Sequence, residues 1–264
     1  MTWELYDLRR GWTPDNDVAP ANPEKLKELQ GLFLEDARKY DVLPLDATVA
    51  TRLVAPRPNI TAGRSEFTYT RSMTGIPQGD SPLLLNCSYT ITADIEIPEG
   101  GAEGMILTSG GRFGGYGFYL LKGKPVFPWN LVDLKRIRWE GPEALSLGKH
   151  IVEFEFKYDG LGPETLAFYN LSGIGQSGTG VLKVDGNEVA TQKMDYTIPH
   201  ILQWDETFDI GSNTGTPVDD EDYQVPFKFT GKLNKLTIKI DRPQLTPEDE
   251  KRLMEAEQNN KTSG

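Results

Sequence analysis

The chain has 264 residues, of which 38% are hydrophobic and 25% charged, and its formal net charge is −11. That charge makes nucleic acid and anionic membrane poor partners, and no apolar run approaches the roughly 20 residues needed to span a bilayer. The one cysteine, Cys87, excludes an internal disulfide and a cysteine metal cluster.

The N-terminus, MTWELYDLRRGW, has no apolar leader, so no signal peptide is expected. A soluble chain is expected, with cytoplasm and periplasm both open. Trp3, Leu5, Tyr6 and Leu8 form a short apolar segment, read as an edge strand with a turn after it. A helix is predicted over 23–40. Asn22 is placed to cap it, and Pro23 fits the first helical position, where its missing N–H costs nothing. Leu26, Leu29, Phe33, Ala37 and Tyr40 recur at helical spacing, with Lys25, Lys27, Glu28, Glu35 and Lys39 on the other side. The helix ends before Val42-Leu43-Pro44. Its apolar stripe needs a partner surface, either the following domain or one outside this sequence.

From Ala47 to Asp241 the pattern is nearly all β. Residues from Arg57-Pro58-Asn59 to Tyr69 are read as the first strands. Ser88 to Ile97 alternates without a slip: Tyr89, Ile91, Ala93, Ile95 and Ile97 one way, Thr90, Thr92, Asp94 and Glu96 the other. That period of two marks a strand with one buried face. Met105–Ser109, Tyr116–Leu121, Val126–Trp129 and Arg136–Trp139 continue a meander punctuated by glycine. His150 to Tyr158 alternates again. Gly180 to Lys193 is a hairpin turning at Asp185-Gly186-Asn187. Phe208–Gly211 is short, and Phe227–Ile240 closes the domain. The reading is a mainly β fold: an antiparallel two-sheet β-sandwich of concanavalin-like or jelly-roll type. A strand-helix appendage (1–46) precedes the sandwich (47–241). A short helix over 243–258, capped by Thr246, and a frayed tail follow it (242–264).

Few residues suggest chemistry. Cys87 has no base nearby in sequence and is expected to be structural. His150 and His200 show no metal spacing and are expected to play packing or surface roles. Asp94/Glu96 and Glu153/Glu155 are carboxylate pairs, but strict alternation makes them solvated strand faces rather than a glycosidase dyad. Asp219-Asp220-Glu221-Asp222 lacks the spacing of a calcium loop and is read as solvated. Asp205–Val218 is dense in turn formers, which predicts an internally hydrogen-bonded loop. Gly110–Gly117 joins two strands, so it is no phosphate loop. The candidate ligand-binding residues are Trp129, Arg136, Arg138 and Trp139. Aromatic rings stack on sugars, and arginine grips anionic oxygens bidentately; core packing of the aromatics is the competing reading.

The N-terminal stretch WELYDLRRGWTPDNDVAPANPEKLKELQGLFLEDARKYDVLPLD resembles the closing segment of the catalytic domain of bacterial arylsulfatases, of the formylglycine-dependent sulfatase family. RPNITAGRSEFTY, SYTITADIEIP, GGAEGMILTSGGRFGGYGFYLLKGK and DETFDIGSNTGTPV through YQVPFKFTGKL resemble the C-terminal extension of large family members. The resemblance implies that W-E-L-Y-D-L is the last strand of the catalytic domain. Family members cleave sulfate esters with a formylglycine made in a C/S-x-P-x-R motif beside a calcium ion. Cys87 is followed by Ser88-Tyr89-Thr90-Ile91, and no serine starts that motif either. Calcium and formylglycine are therefore expected in a domain outside this sequence, with no cofactor and no catalytic residue here. The implied role is an accessory domain, inactive alone, partnered by a sulfatase catalytic domain in cis or in trans. The alternative is a carbohydrate- or sulfated-glycan-binding module. A sandwich glycosidase is a third reading.

Overall fold

A computed structural model describes residues 3–9, 11, 13–45, 60–61, 63–84, 87–159, 177–197, 206–241, 247–248, 251 and 255. The chain divides into two compact units, Met1–Pro56 and Arg57–Gly264. Residues 57–59 and His200 lie outside the described residues. So does most of the predicted C-terminal helix, whose described positions 247, 248, 251 and 255 are helical.

In the first unit, helix α1 runs Pro23–Lys39. Asn22 does not cap it as predicted. A 3-10 turn, Ala19–Ala21, precedes it, and the Asn22 amide turns back to donate to the Val18 carbonyl, 2.9 Å away. The helix ends on Asp41 in the left-handed region (φ 53°), with the Val42 N–H donating to the Ala37 carbonyl at 2.8 Å. That is a Schellman-type stop with aspartate where glycine is usual. Of the apolar stripe only Ala37 is buried. Leu29 is 40% and Leu32 51% exposed. The predicted edge strand at Trp3–Leu8 forms no ladder among the described residues. Instead Leu5 donates to Asp17 Oδ1 (2.9 Å) and accepts from the Val18 N–H (2.8 Å).

The second unit is the two-sheet antiparallel sandwich. Its strands are β1 (Glu66–Tyr69), β2 (Met73–Ile76), β3 (Ser88–Ile97), β4 (Gly104–Gly111), β5 (Gly114–Leu121) and β6 (Lys124–Leu131), then β7 (Lys135–Glu140), β8 (Gly148–Tyr158), β9 (Gly178–Val184), β10 (Asn187–Met194), β11 (Phe208–Ile210) and β12 (Lys232–Asp241). The first sheet is ordered β1-β12-β3-β8-β9-β10 and the second β2-β11-β4-β5-β6-β7. Strand β2 was not predicted. The closing strand begins at Lys232, because Phe227–Gly231 packs as a non-strand segment beside β4.

The alternation in β3 and β8 buries every second residue, as predicted. Phe154 of β8 stacks on Phe127 of β6 with ring centroids 3.6 Å apart, joining the sheets at mid-core. Each such side chain contributes about 1.5–3 kcal/mol of burial free energy. Strands β4, β5 and β6 are buried on both faces along nearly their whole length. Their inner face meets the first sheet. Their outer face carries Met105, Tyr119 and Val126, which pack with Tyr223, Val225 and Phe227 from the long loop between β11 and β12. That loop is a third layer over the second sheet.

Candidate functional site

Strand β7 decides where the predicted ligand-binding residues point. Successive side chains on a strand face opposite ways, so Arg136 and Arg138 cannot share a surface with Ile137 and Trp139. Trp139 points inward and is 1% exposed. Its ring meets Phe154 edge-on at 5.0 Å, and its Nε1–H donates to the Gly180 carbonyl at 2.8 Å. Trp129, opposite Ile137 in the β6–β7 ladder, is 3% exposed and stacks on Tyr116 at 5.4 Å. The predicted aromatic binding surface is therefore two core residues. They cannot stack on a sugar, because no face of either ring reaches solvent.

Arg136 and Arg138 point outward, onto the loop. Arg136 reaches Asp219 Oδ1 at 3.0 Å, and both Asp133 Oδ1 and Asp220 Oδ1 at 2.7 Å. Arg138 pairs with Asp222 and with Glu140 (3.0 Å). Arg112 pairs with Asp220 and reaches Asp133 at 3.4 Å. The Tyr119 hydroxyl donates to Asp222. The acidic run read as solvated is thus an ion-paired clasp. Arg136 holds the Asp220 carboxyl below the usual carboxylate range. Burial, and then Asp222, push the Tyr119 phenol well above its ordinary value. Five carboxylates face three guanidinium groups, so the cluster offers a sulfate group no unpaired cation.

The same cluster does not suit calcium, since arginines occupy its carboxylate oxygens. Among the described residues no group of three His, Cys, Asp or Glu side chains can hold a metal ion. With no C/S-x-P-x-R motif in the chain, no residue here matches the formylglycine site of that family.

Several other carboxylates are also committed. Asp209 Oδ1 accepts the Gly75 N–H (2.7 Å) and the Thr207 hydroxyl (2.9 Å), while Oδ2 accepts the Thr214 N–H (3.1 Å) and hydroxyl (2.6 Å). Glu206 takes the Thr216 hydroxyl at 2.7 Å. This is the internally bonded loop the sequence predicts. Lys183 Nζ lies 2.5 Å from Glu155 and 3.5 Å from Glu153 on the outer face of the first sheet. Glu153 and Glu155 lie along one strand, not opposed across a cleft as glycoside hydrolysis requires.

Sequence reasoning passed over the tips of two neighbouring hairpins. Phe113, between β4 and β5, is 60% exposed; Leu134, between β6 and β7, is 84% exposed. The Arg112–Asp133 pair ties these tips together. Leu134 closes a two-residue turn onto Leu131 (2.9 Å) with both central residues, Val132 (φ 47°) and Asp133 (φ 59°), left-handed. Valine is sterically disfavoured there by about 1–2 kcal/mol.

No protein-family model matches the chain, and no curated protein does. Among solved structures it is similar to the CBM40 of the Ruminococcus gnavus IT-sialidase: 13% identity, 72% of this chain and 98% of that one, TM-score 0.43. Mouse laminin alpha1 LG4-5 is similar at 16% identity, over 69% of this chain and 40% of that one, TM-score 0.37. The receptor-binding domain of botulinum neurotoxin D is similar at 12% identity, over 75% and 49%, TM-score 0.36. Sandwiches of this kind carry many unrelated functions, so what such a neighbour binds does not transfer to this chain. The fold defines a β-sandwich module with an N-terminal helical unit, and the charged residues of the clasp hold the covering loop to the second sheet.

Proposed function

We propose that the chain is an accessory domain of an arylsulfatase: it packs on a sulfatase catalytic domain and takes no part itself in cleaving the sulfate ester. The observation that carries this reading is the first unit. A 17-residue amphipathic helix buries one residue, and the segment beside it, read as a strand, forms no ladder among the described residues. Both need a partner surface, and the sulfatase resemblance of residues 1–46 supplies one of matching kind. The arginines of the clasp are paired with its carboxylates and offer no free cation to a sulfate ester, which supports a place outside the sulfate-cleaving chemistry. The test is to mix the purified chain with a sulfatase catalytic domain truncated before its own W-E-L-Y-D-L segment. A stable complex by size-exclusion chromatography, with restored p-nitrophenyl sulfate turnover, is the expected result. Two components that elute separately, with no gain in turnover, reject it.

A second reading, a glycan-binding module, is favoured by the exposed Phe113 ring at the β4–β5 tip. It offers a stacking surface, which the buried tryptophans do not. Glycan-array binding that Phe113→Ala abolishes would support it; binding unaffected by that change would remove its basis.

A further inference from the structure

His150 sits at the start of β8, and its two ring nitrogens face two different groups. Nδ1 lies 2.7 Å from Asp185 Oδ2. Nε2 lies 3.2 Å from the Ser146 hydroxyl. Asp185 is itself fixed: its Oδ1 accepts the Ile151 N–H at 2.8 Å, and its own N–H donates to the Ile151 carbonyl at 2.8 Å. A nucleophile within hydrogen-bond reach of a base, with the base oriented by a third group, is the arrangement that activates a serine hydroxyl. It recurs on unrelated folds and is recognised by geometry rather than by sequence order.

The local structure explains how these residues meet. Asp185 occupies the left-handed first position of the tight β9–β10 turn (φ 50°), beside Gly186 (φ 80°). Val184 pairs with Val152, which sets the turn level with Ile151 and His150 near the start of β8. Ser146 lies on the exposed approach to β8, four residues before His150. Leu145, its predecessor, and Ala144 help line an open cavity of about 400 Å³ with Gly100, Gly101 and Gly123. Ser146 is itself exposed to solvent, one residue along the chain from the Leu145 that lines this cavity.

We propose that Ser146, His150 and Asp185 form a nucleophile, base and positioning residue that react with small, activated carboxylic esters. Ser146 Oγ bonds to the acyl carbon while the C–O bond to the leaving alcohol breaks. The hydroxyl proton passes to His150 Nε2 and from there to the departing alkoxide. Water then attacks the acyl-serine, gives its proton through the same nitrogen, and releases the carboxylic acid with Ser146 restored. Asp185 holds the proton of the neutral ring on Nδ1, which leaves Nε2 as the acceptor.

One contact competes. His150 Nε2 is also 2.9 Å from the Ser146 carbonyl oxygen. A ring protonated on both nitrogens donates to that carbonyl, and the serine is then idle. A neutral ring has only a lone pair at Nε2, and of the two Ser146 groups the hydroxyl alone can donate to it. Reactivity therefore belongs to the neutral imidazole.

The experiment is a stopped-flow assay of the full chain with p-nitrophenyl acetate, followed by peptide mapping of the acetyl group. A burst of nitrophenolate with acetyl on Ser146 is expected, absent in Ser146→Ala. His150→Gln should slow acylation at least about 100-fold, with partial rescue by added imidazole. Asp185→Asn keeps the left-handed turn, since asparagine tolerates it. It should lower the acylation rate constant while leaving half-saturation unchanged. Ser146→Ala alters one exposed loop residue, so an unchanged Tm certifies its fold. Equal acetylation in wild type and Ser146→Ala, or acetyl found on Lys149 instead, overturns the proposal.

Discussion

Trp139 and Gly180 lie on different sheets and are joined by one hydrogen bond, from the indole Nε1 to the glycine carbonyl at 2.8 Å. A Cβ at residue 180 would stand 2.5 Å from Cζ2 of that indole. Glycine is what lets the two sheets close at this edge, and the tryptophan fills the space its absent side chain leaves. Gly180→Ala is expected to destabilise the domain by about 1–3 kcal/mol through overpacking. Trp139→Phe, which removes the donor and part of the ring that fills the core here, is expected to cost about 1–3 kcal/mol. Urea unfolding of both variants checks the pair.

Asn130 is the second pin. Fully buried, its amide donates to the Arg112 carbonyl at 2.8 Å and the Val218 carbonyl at 3.0 Å, and its Oδ1 accepts the Asp133 N–H at 2.9 Å. It ties the covering loop to two strand ends. Asn130→Asp turns donors into acceptors facing carbonyl oxygens. It should therefore destabilise more than Asn130→Ala, itself expected to cost about 2–4 kcal/mol from the unpaired groups. An aspartate variant as stable as the alanine one would contradict the assigned amide orientation.

The clasp gives the stability a pH dependence. Arg136 lowers the Asp220 carboxyl, and burial is outweighed at Asp185 by the Ile151 N–H and His150, so that carboxyl is lowered too. In each case the unfolded chain binds a proton more readily than the folded one. Stability is therefore fully present above the ordinary carboxylate range and is lost as pH falls through the depressed folded values. Asp220→Asn should lower Tm at neutral pH and flatten the acid limb of a Tm-against-pH curve, the two curves converging at low pH where the wild-type carboxyl is protonated as well.

Leu29 and Leu32 separate folding from association. Both are substantially exposed on α1. Replacing each with glutamate should leave the Tm of the sandwich unchanged, while raising the Kd for a truncated sulfatase catalytic domain at least about tenfold. Unchanged affinity would remove the helix from the interface.

Val132→Asn should be stabilising by about 1 kcal/mol, because asparagine relieves the left-handed strain of a turn that favours it. Chemical denaturation reads this directly. A loss of stability would mean that the valine side chain makes contacts worth more than the strain.

Much of the sandwich was legible because burial writes itself as a period of two. Ser88–Ile97 and His150–Tyr158 declared their inner faces residue by residue, and Asp185-Gly186 declared its turn. The same rule applied to Arg136-Ile137-Arg138-Trp139 separates the arginines from the tryptophan. Reading the four as one surface overlooked it. Strand β2 was illegible because four residues with a central glycine carry no pattern. The clasp was illegible for another reason: Arg136 and Asp219 are 83 residues apart, and an acidic run looks the same whether water or arginine faces it. Ser146 and His150 stood four apart in plain view, but Asp185 joins them only once the hairpin has folded.

The stretch from Gly211 to Phe229 has the composition of a recognition loop, yet it seals the outer face of β4, β5 and β6. A library that randomised it in search of new binders would sort its members by foldability, not by affinity.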